Sequence, residues 1–578
     1  MTAPGLFRRL FSSPNKSSKQ RRGGKTASAN KRNRRIFFEP LEDRRVLAMV
    51  PEMLKDISPG AFNSSPDQLV AVGNIVYFYT NQPHADSELW KSDGTAAGTV
   101  MVKDIVPIGS SSPRDLTNVG GTLFFTAVTS ATGSELWKSD GTEAGTVLVK
   151  DIRPGNNSPG ISNLINVNGT LFFDANDGVN GVELWKSDGT ASGTVMVKDI
   201  NPGAATGISS SFRAEVNGTL FFSANDGVNG LELWRSDGTE AGTTLVKDIN
   251  PGSGNAFVQR PANVNGTLFF ESIGGLWKSD GTAAGTTLVT SMQLGSGIHD
   301  VNGVAYFQSL GGAGGGELWK SDGTSAGTVR VKDINPGSGP SGVGSDTFTN
   351  VGGTLFFFAN DGTSGPELWK SDGTDAGTIL VKDINPGGGS SITTSRFLAD
   401  INGTLYFWAT DGSTGAELWK SDGTTTGTTL VKDINSGNAD SQSPFFTRSR
   451  IVDLNGTLVF SVQDGVTGFE LWKSDGTPAG TSLVKDIVPN GPSSSPSVFT
   501  NVNGNAFFTS SDGVSGTELW KSDGTAAGTT LVKDIQPGTG SGAVFAAVMN
   551  VNGTVFFQAN DGTTGAELWK SDGTATGT

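Results

Sequence analysis

Residues 166–203 read NVNGTLFFDANDGVNGVELWKSDGTASGTVMVKDINPG, and close copies of this stretch fill the chain from residue 51 onward. Self-similarity with a period of about 40 to 50 residues is typical of propeller blades, solenoids and repeat arrays. The tryptophan of the ELW element recurs eleven times, at spacings of 42 to 53 residues. The eleven positions are Trp90, Trp137, Trp185, Trp234, Trp277, Trp319, Trp369, Trp419, Trp472, Trp520 and Trp569.

One unit of the repeat predicts four short strands. Asn168-Gly169 separates two apolar runs, which is the strongest short hairpin signal because both turn residues need positive φ. Two further Asp-Gly turns follow, and Pro202 ends the last run because proline cannot continue a ladder. The predicted strands cover residues 161–167, 170–173, 182–187 and 195–200.

The Leu-Phe-Phe run of the second strand places apolar groups on both faces, so neighbouring units have to cover both. We therefore expect an all-β fold, a β-propeller of about eleven four-stranded antiparallel blades of roughly 48 residues. Residues 53–57 resemble a fourth strand alone, and the sequence ends after a third strand. This predicts that the N-terminal strand completes the last blade.

Eleven blades exceed the usual range of about four to eight for one ring. At residues 287–292 the fourth strand loses its Lys-Asp-Ile, and the two shortest repeat spacings flank this point. These features favour two rings of five and six blades with a seam at 287–292. One large ring is the alternative.

Residues 1–48 differ sharply from the rest. They hold 13 Lys/Arg and three acidic residues, a net charge of +10, whereas the whole chain carries −14 and residues 49–578 therefore −24. The tract FEPLEDRRVLA at 38–48 resembles the LEPR-xLL type of N-terminal segment that opens large bacterial surface and secreted proteins. We expect residues 1–48 to be a disordered targeting or processing segment ahead of the repeat region, 49–578. A nucleic-acid-binding arm is the alternative for the basic stretch.

The repeat itself resembles the ELWxxDGT repeat family of bacterial, mostly large proteins. The motif stands here as ELWKSDGT at residues 183–190, with near-copies over essentially all of 51–578. The resemblance implies a β-propeller-like fold and a secreted or cell-surface location. It implies no particular activity or substrate.

Composition excludes several kinds of chemistry. With no Cys and two His, thiolate metal sites and multi-histidine sites are not expected. The acidic body argues against nucleic acid as a partner, and no apolar run is long enough to span a membrane. The high count of 82 Gly indicates many turns.

The repeated tryptophans are interpreted as inter-blade core residues, with ligand platforms as the alternative. Asp188 and Gly189 belong to a Ser-Asp-Gly-Thr turn, in which the Asp side chain caps backbone N–H groups. Asp174, Asn176 and Asp177 are weak calcium candidates, because Gly178 stands where the EF-hand pattern needs an oxygen ligand. The sequence thus predicts no cofactor, with calcium as the only possibility.

The repeat also predicts that opposite charges pair between the third and fourth strands, with Lys186 on the third strand and Lys198-Asp199 on the fourth. Catalysis needs one constellation, whereas these charged residues recur in nearly every unit. His84 and His299 stand outside the repeat pattern and are interpreted as exposed loop residues. Further singular polar residues are Arg153, Arg213, Arg260, Arg396 and Tyr406.

These patterns favour an exported, monomeric, non-catalytic module for binding, adhesion or surface structure. Its partners would be extracellular glycans or proteins, met by the variable connections 110–117, 389–400 and 440–450 between blades. One alternative is a carbohydrate-active enzyme with carboxylates at the channel mouth. Another is a calcium-stabilised surface array.

Overall fold

A computed structural model describes residues 52–573 apart from 58–62, 81–86, 311–315, 338, 344–347, 394–396, 443–450, 490 and 492. Every regular element in these residues is a β-strand, and the strands form eleven four-stranded antiparallel sheets. None of the described segments is a helix that could cross a membrane. The fold is an all-β propeller, as the repeat predicts, and blades are numbered 1 to 11 in the order of their ELW tryptophans.

Each blade contributes its strands in chain order. The first strands are Pro66–Val72, Arg114–Val119, Ser162–Val167, Ile208–Val216, Gln259–Val264, His299–Val301, Thr349–Val351, Leu398–Ile401, Ile451–Leu454, Ser497–Val502 and Ala543–Val551. The second strands are Ile75–Thr80, Thr122–Thr129, Thr170–Asn176, Thr219–Asn225, Thr267–Ser272, Val304–Gln308, Thr354–Asn360, Thr404–Thr410, Thr457–Gln463, Asn505–Ser511 and Thr554–Asn560.

The outer half of each sheet is equally regular. The third strands are Leu89–Ser92, Gly133–Ser139, Val182–Ser187, Leu231–Ser236, Gly275–Ser279, Leu318–Ser321, Pro366–Ser371, Ala416–Ser421, Phe469–Ser474, Thr517–Ser522 and Ala566–Ser571. The fourth strands of blades 1 to 10 are Val100–Lys103, Val147–Lys150, Val195–Lys198, Thr244–Lys247, Thr287–Thr290, Val329–Arg330, Ile379–Lys382, Thr429–Lys432, Ser482–Lys485 and Thr530–Lys533.

Blade 3 shows how closely sequence and structure agree. Asn168 and Gly169 form the predicted hairpin turn, with φ of 49° and 82°. The second strand is longer than predicted and runs to Asn176, whereas the fourth ends at Lys198, two residues early. The turns and strand order are confirmed, and the boundaries shift by a few residues.

The fourth strand of blade 11 comes from the N-terminal side of the repeat region. Glu52–Met53 pairs antiparallel with Ala566–Ser571, and the Leu54 amide donates to the Leu568 carbonyl at 3.2 Å. Leu54 is only 1% exposed and packs in the apolar cluster between blades 11 and 1. The predicted closure by an N-terminal strand is confirmed, and the last blade is a complete four-stranded sheet.

The eleven blades form one ring. Each of the ten pairs of consecutive blades shares an apolar cluster, and the pair of blades 11 and 1 shares one as well. First strands of neighbouring blades contact one another, whereas fourth strands pair only with third strands. First strands therefore lie at the inner rim of the ring and fourth strands at the outer rim.

The prediction of two rings is wrong, because residues 287–292 lie within a continuous interface. Val289 and Leu294 are buried there among side chains of blades 5 and 6. Blade 5 has Gly275 in place of the ELW glutamate, and a carboxylate from its second strand replaces it: Glu271 Oε1 accepts the Leu294 amide at 2.9 Å. The altered fourth strand is a local substitution and not a seam.

We predict that Leu54→Ala lowers the free energy of unfolding by about 2 to 5 kcal/mol, because it leaves a cavity in the closing interface. Chemical denaturation measures the change. The matched control is Val466→Ala, a similar truncation at a side chain that is 87% exposed, which should shift stability by less than about 0.5 kcal/mol. Equal effects of the two variants would contradict this account of the closure.

Candidate functional site

The Ser-Asp-Gly-Thr turn joins the third and fourth strands and satisfies its own polar groups. In blade 3, Asp188 Oδ1 accepts the Thr190 amide and hydroxyl, each at 2.8 Å. Thr190 Oγ1 accepts the Gly193 amide at 2.9 Å, and Ser187 Oγ accepts the Gly189 amide at 2.9 Å. The same bonds recur in blades 1 to 10, so the motif is a self-contained turn.

The conformation of this turn requires its glycines. Gly189 has φ of 86°, and a Cβ atom at Gly193 would overlap the Asp188 carboxylate. The amide of Thr190, together with its hydroxyl, lowers the pKa of Asp188. The stability that this bonding contributes is therefore present above the ordinary Asp pKa and is lost as pH falls through the lowered value.

The repeated tryptophans lie between blades. Trp185 is 5% exposed in the cluster shared by blades 2 and 3, where it stacks on Phe173 with ring centroids 6.5 Å apart. The ammonium group of Lys150, from the end of the preceding blade's fourth strand, lies 5.7 Å from the Trp185 ring centroid. Lys150 Nζ also donates to the Thr194 carbonyl at 2.8 Å, at the end of the next turn. Each such lysine therefore joins two blades.

The predicted charge pair within a blade is wrong, because both kinds of lysine reach the following blade. Lys198 lies 5.9 Å from the Trp234 ring centroid and donates to the Thr243 carbonyl at 2.9 Å. The other kind, represented by Lys91, donates to the Gly141 carbonyl of the next turn at 2.6 Å. Register explains the error, since Lys198 pairs with Leu184 across the strands.

The ELW glutamate anchors the chain as it leaves the fourth strand. Glu183 has no exposed surface, and its carboxylate accepts the amides of Ile200 and Asn201 at 3.1 and 3.2 Å. Burial, together with a smaller contribution from the nearby Asp199 carboxylate, raises the pKa of Glu183 to about 8. Asp199 Oδ1 is itself buried and makes no hydrogen bond to the described residues.

This pair of carboxyl groups recurs around the ring. Burial raises the pKa of this glutamate in blades 1 to 4 and 6 to 11, and in seven of these ten blades the value is about 7 or about 8. A strongly perturbed carboxyl group is a common mark of an active site. Here each one holds backbone amides at the same place in successive blades, so the perturbation belongs to the scaffold.

The three calcium candidates are engaged separately. Asp174 lies in the second strand, 2% exposed, where it forms an ion pair with Arg213 of blade 4 and accepts from Asn163 Nδ2 at 2.8 Å. Asn176 Oδ1 accepts the Gly178 amide at 2.7 Å. Asp177 Oδ1 accepts the amides of Val179 and Asn180, each at 2.8 Å, and thus caps a turn.

Several of the singular polar residues serve contacts between blades. Arg260 donates to Glu271 at 2.5 Å and to the Leu294 carbonyl of the following connection at 2.6 Å. The interpretation of His299 as an exposed loop residue is wrong, because His299 begins a first strand and its ring lies 5.1 Å from that of Phe348 in blade 7. His84 and Arg396 lie outside the described residues, as do 394–396 and 443–450 of the predicted variable connections.

The inner rim holds a feature that the sequence analysis missed. A cavity of about 490 Å³ lies along the first strands of blades 7, 8 and 9, lined in part by Phe348, Phe397, Ile451, Asp400 and Asp453. The signal was present in the sequence. Two successive units have Asp at the position that is Asn166 in the quoted repeat.

No protein-family model and no curated protein sequence matches this chain. Among solved structures it is similar to puromycin hydrolase, at 16% identity over 63% of this chain and 61% of that one, with a TM-score of 0.25. A puromycin-hydrolysing peptidase of Mycobacterium tuberculosis matches at 10% identity over 64% and 60%, with a TM-score of 0.26. The tricorn protease matches at 12% over 87% and 47%, with a TM-score of 0.23. The chain covers less than two thirds of each of these proteins.

The buried glutamates predict a pH dependence of stability. The pKa of all ten is raised from an ordinary 4.5, and in seven of them it is about 7 or about 8, as for Glu135 and Glu183, so the folded chain binds more protons than the unfolded chain between these values. Stability should therefore fall as pH rises from about 5 to 9. Thermal unfolding across this range measures the effect, and melting temperatures that rise from pH 6 to 9 would contradict it.

A set of variants with a control tests how much the aspartates beside these glutamates contribute to the pH dependence of stability. Replacing the aspartates beside four glutamates with Asn should flatten the pH dependence, because each of these carboxylates raises its neighbour's pKa; they are Asp151, Asp199, Asp383 and Asp433. Asp104→Asn is the control, since Asp104 is not among the groups that shift the pKa of Glu88. The idea fails if all variants keep the wild-type slope.

We predict that a chelator leaves the melting temperature unchanged. The oxygens of Asn176 and Asp177 already accept backbone amides, so the turn needs no cation to hold its shape. The measurement is thermal unfolding in EDTA and in added Ca²⁺, and Asp177→Ala, which removes the cap, should lower the melting temperature in both. A clear upward shift with Ca²⁺ in the wild type, absent in Asp177→Ala, would instead indicate a calcium site.

Proposed function

We propose that this chain is an exported or cell-surface binding module without catalytic activity, which presents variable connections between blades to extracellular glycans. The observation that carries the proposal concerns how those connections are held. They leave the fourth strand of one blade and enter the first strand of the next. In blades 1, 9, 10 and 11 one buried glutamate binds backbone amides at both of their ends.

Blade 1 shows the arrangement. Glu88 Oε2 accepts the Ile105 amide at 3.2 Å where the connection begins. Glu88 Oε1 accepts the Ser111 amide at 3.0 Å where the connection ends, and the Ser111 hydroxyl donates to Oε2 at 2.5 Å. Between these points Ile108 is 96% exposed. The base of the connection is thus fixed while its tip faces solvent.

Three other blades repeat this double anchor. Glu518 holds the amides of Ile535 and Gly542 at 3.1 and 2.7 Å. Glu470 holds the amides of Ile487 and Ser494 at 2.8 and 2.9 Å. Glu567 holds Ile57 and Ser64, each at 3.1 Å. A rigid scaffold whose variable segments are anchored at both ends is the arrangement by which loops carry binding specificity. Repetition around a ring adds avidity, since weak sites on one frame act together.

The proposal predicts binding to an extracellular polysaccharide without cleavage. The measurement pairs an array of immobilised polysaccharides with an assay for released reducing ends, using the full chain. Replacing residues 106–110 with Gly and Ser should weaken binding while the melting temperature stays unchanged, because Glu88 still anchors both ends. Cleavage of a bound polysaccharide would overturn the proposal in favour of an enzyme, and no binding to any polysaccharide would overturn it as well.

A further inference from the structure

The ring differs from its own repeat most clearly along the inner rim. In blades 1, 2, 3, 5 and 10 the first strand is bulged at a residue with positive φ; these residues are Gln68, Asp115, Asn163, Arg260 and Val498. Several of their side chains cross to the next blade or to the second strand. Gln68 Oε1, for example, accepts the Leu116 amide of blade 2 at 3.1 Å. The bulges therefore fill the inner rim with polar contacts.

Blades 7, 8 and 9 present other side chains at the inner rim, along the first strands Thr349–Val351, Leu398–Ile401 and Ile451–Leu454. Half-buried apolar side chains, among them Phe348, Phe397 and Ile451, line the rim at this place. The cavity of about 490 Å³ lies along these three strands. Its size is that of a small-molecule site.

The interior behind the cavity is aromatic as well. The second-strand position that holds Asp174 in blade 3 holds Phe358 in blade 7 and Trp408 in blade 8, both buried. Phe358 packs edge-on against Phe407 at 6.1 Å, and Trp408 packs edge-on against Phe460 at the same distance. Packed rings give the cavity rigid support, which suits a preformed site.

The charge at the cavity is negative. Asp400 and Asp453 line it at equivalent positions in blades 8 and 9, and each uses Oδ1 to accept the amide of its hairpin turn, from Gly403 at 2.8 Å and from Gly456 at 2.7 Å. Asn350 does the same in blade 7 at 2.9 Å. An amide side chain thus suffices for the turn, and the turn does not require the charge of either aspartate.

We propose that the cavity of blades 7 to 9 binds a small organic cation with an aromatic or branched apolar body. Phe348, Phe397 and Ile451 contact the body, and the carboxylates of Asp400 and Asp453 attract the charge. Aromatic faces beside a cation add to the attraction. Phe397 and Asp400 lie at the end of the connection 389–400, so the site adjoins one of the segments that the proposed function assigns to glycans. Cation binding and polysaccharide binding are measured separately, so either proposal can fail without the other.

The probe is phenyltrimethylammonium, compared with its neutral analogue 2-phenyl-2-propanol by titration calorimetry and by ligand-observed NMR on the full chain. The cation should bind at least tenfold more tightly than the neutral analogue. Asp400→Asn combined with Asp453→Asn should remove that preference while the melting temperature is kept, because Asn serves the same turn in blade 7.

The matched control is Asp300→Asn in blade 6. Asp300 Oδ1 accepts the Gly303 amide at 2.8 Å at the same turn position, but Asp300 does not line the cavity. This variant should bind both probes as the wild type does. A second variant, Ala399→Phe, fills the cavity and should abolish binding of both probes. The proposal is overturned if neither probe binds, if the cation is not preferred, or if the double variant retains the preference.

Discussion

Both faces of every second strand are apolar, and this single constraint organises the molecule. In blade 3, Phe172 packs into the interface with blade 4, whereas its neighbour Phe173 packs into the interface with blade 2. A blade of this kind cannot bury its own surface, so it needs a partner on each side. A row of such blades leaves one uncovered apolar face at each end unless its first and last blades pack against each other. The ring and its shared last blade follow from that requirement.

The polar groups of the repeat serve the same interfaces. Lysines such as Lys150 cover the tryptophan of the next blade and bond the end of its turn, while glutamates such as Glu183 bind the amides of the chain as it passes onward. A carboxyl group in an apolar surrounding with an acidic neighbour normally suggests catalysis. Here the same perturbation is the electrostatic consequence of burying an anchor. Burial disfavours the charged carboxylate and raises its pKa, while the two amides that it accepts act in the opposite direction.

Much of this could be read from the sequence. The Asn-Gly and Asp-Gly turns fixed the strand order, and the mismatched ends of the repeat region predicted the closing strand. The number of rings could not be read, because it depends on the angle between blades, which arises from side-chain packing over many contacts. The seam at 287–292 was inferred from a missing motif, but Glu271 supplies the missing carboxylate from another strand. Such a substitution across strands leaves no local signal. The lysine contacts were also out of reach, since each lysine finds its partner about 45 residues away, in the next unit.

The strand pairing at Glu52–Met53 closes the ring and involves only the two ends of the repeat region. The two segments that meet there belong to one blade, and their hydrogen bonds are the ordinary ones between a third and a fourth strand. The contact that completes the molecule is therefore the same strand pairing that every other blade makes within itself, so closure requires no specialised segment.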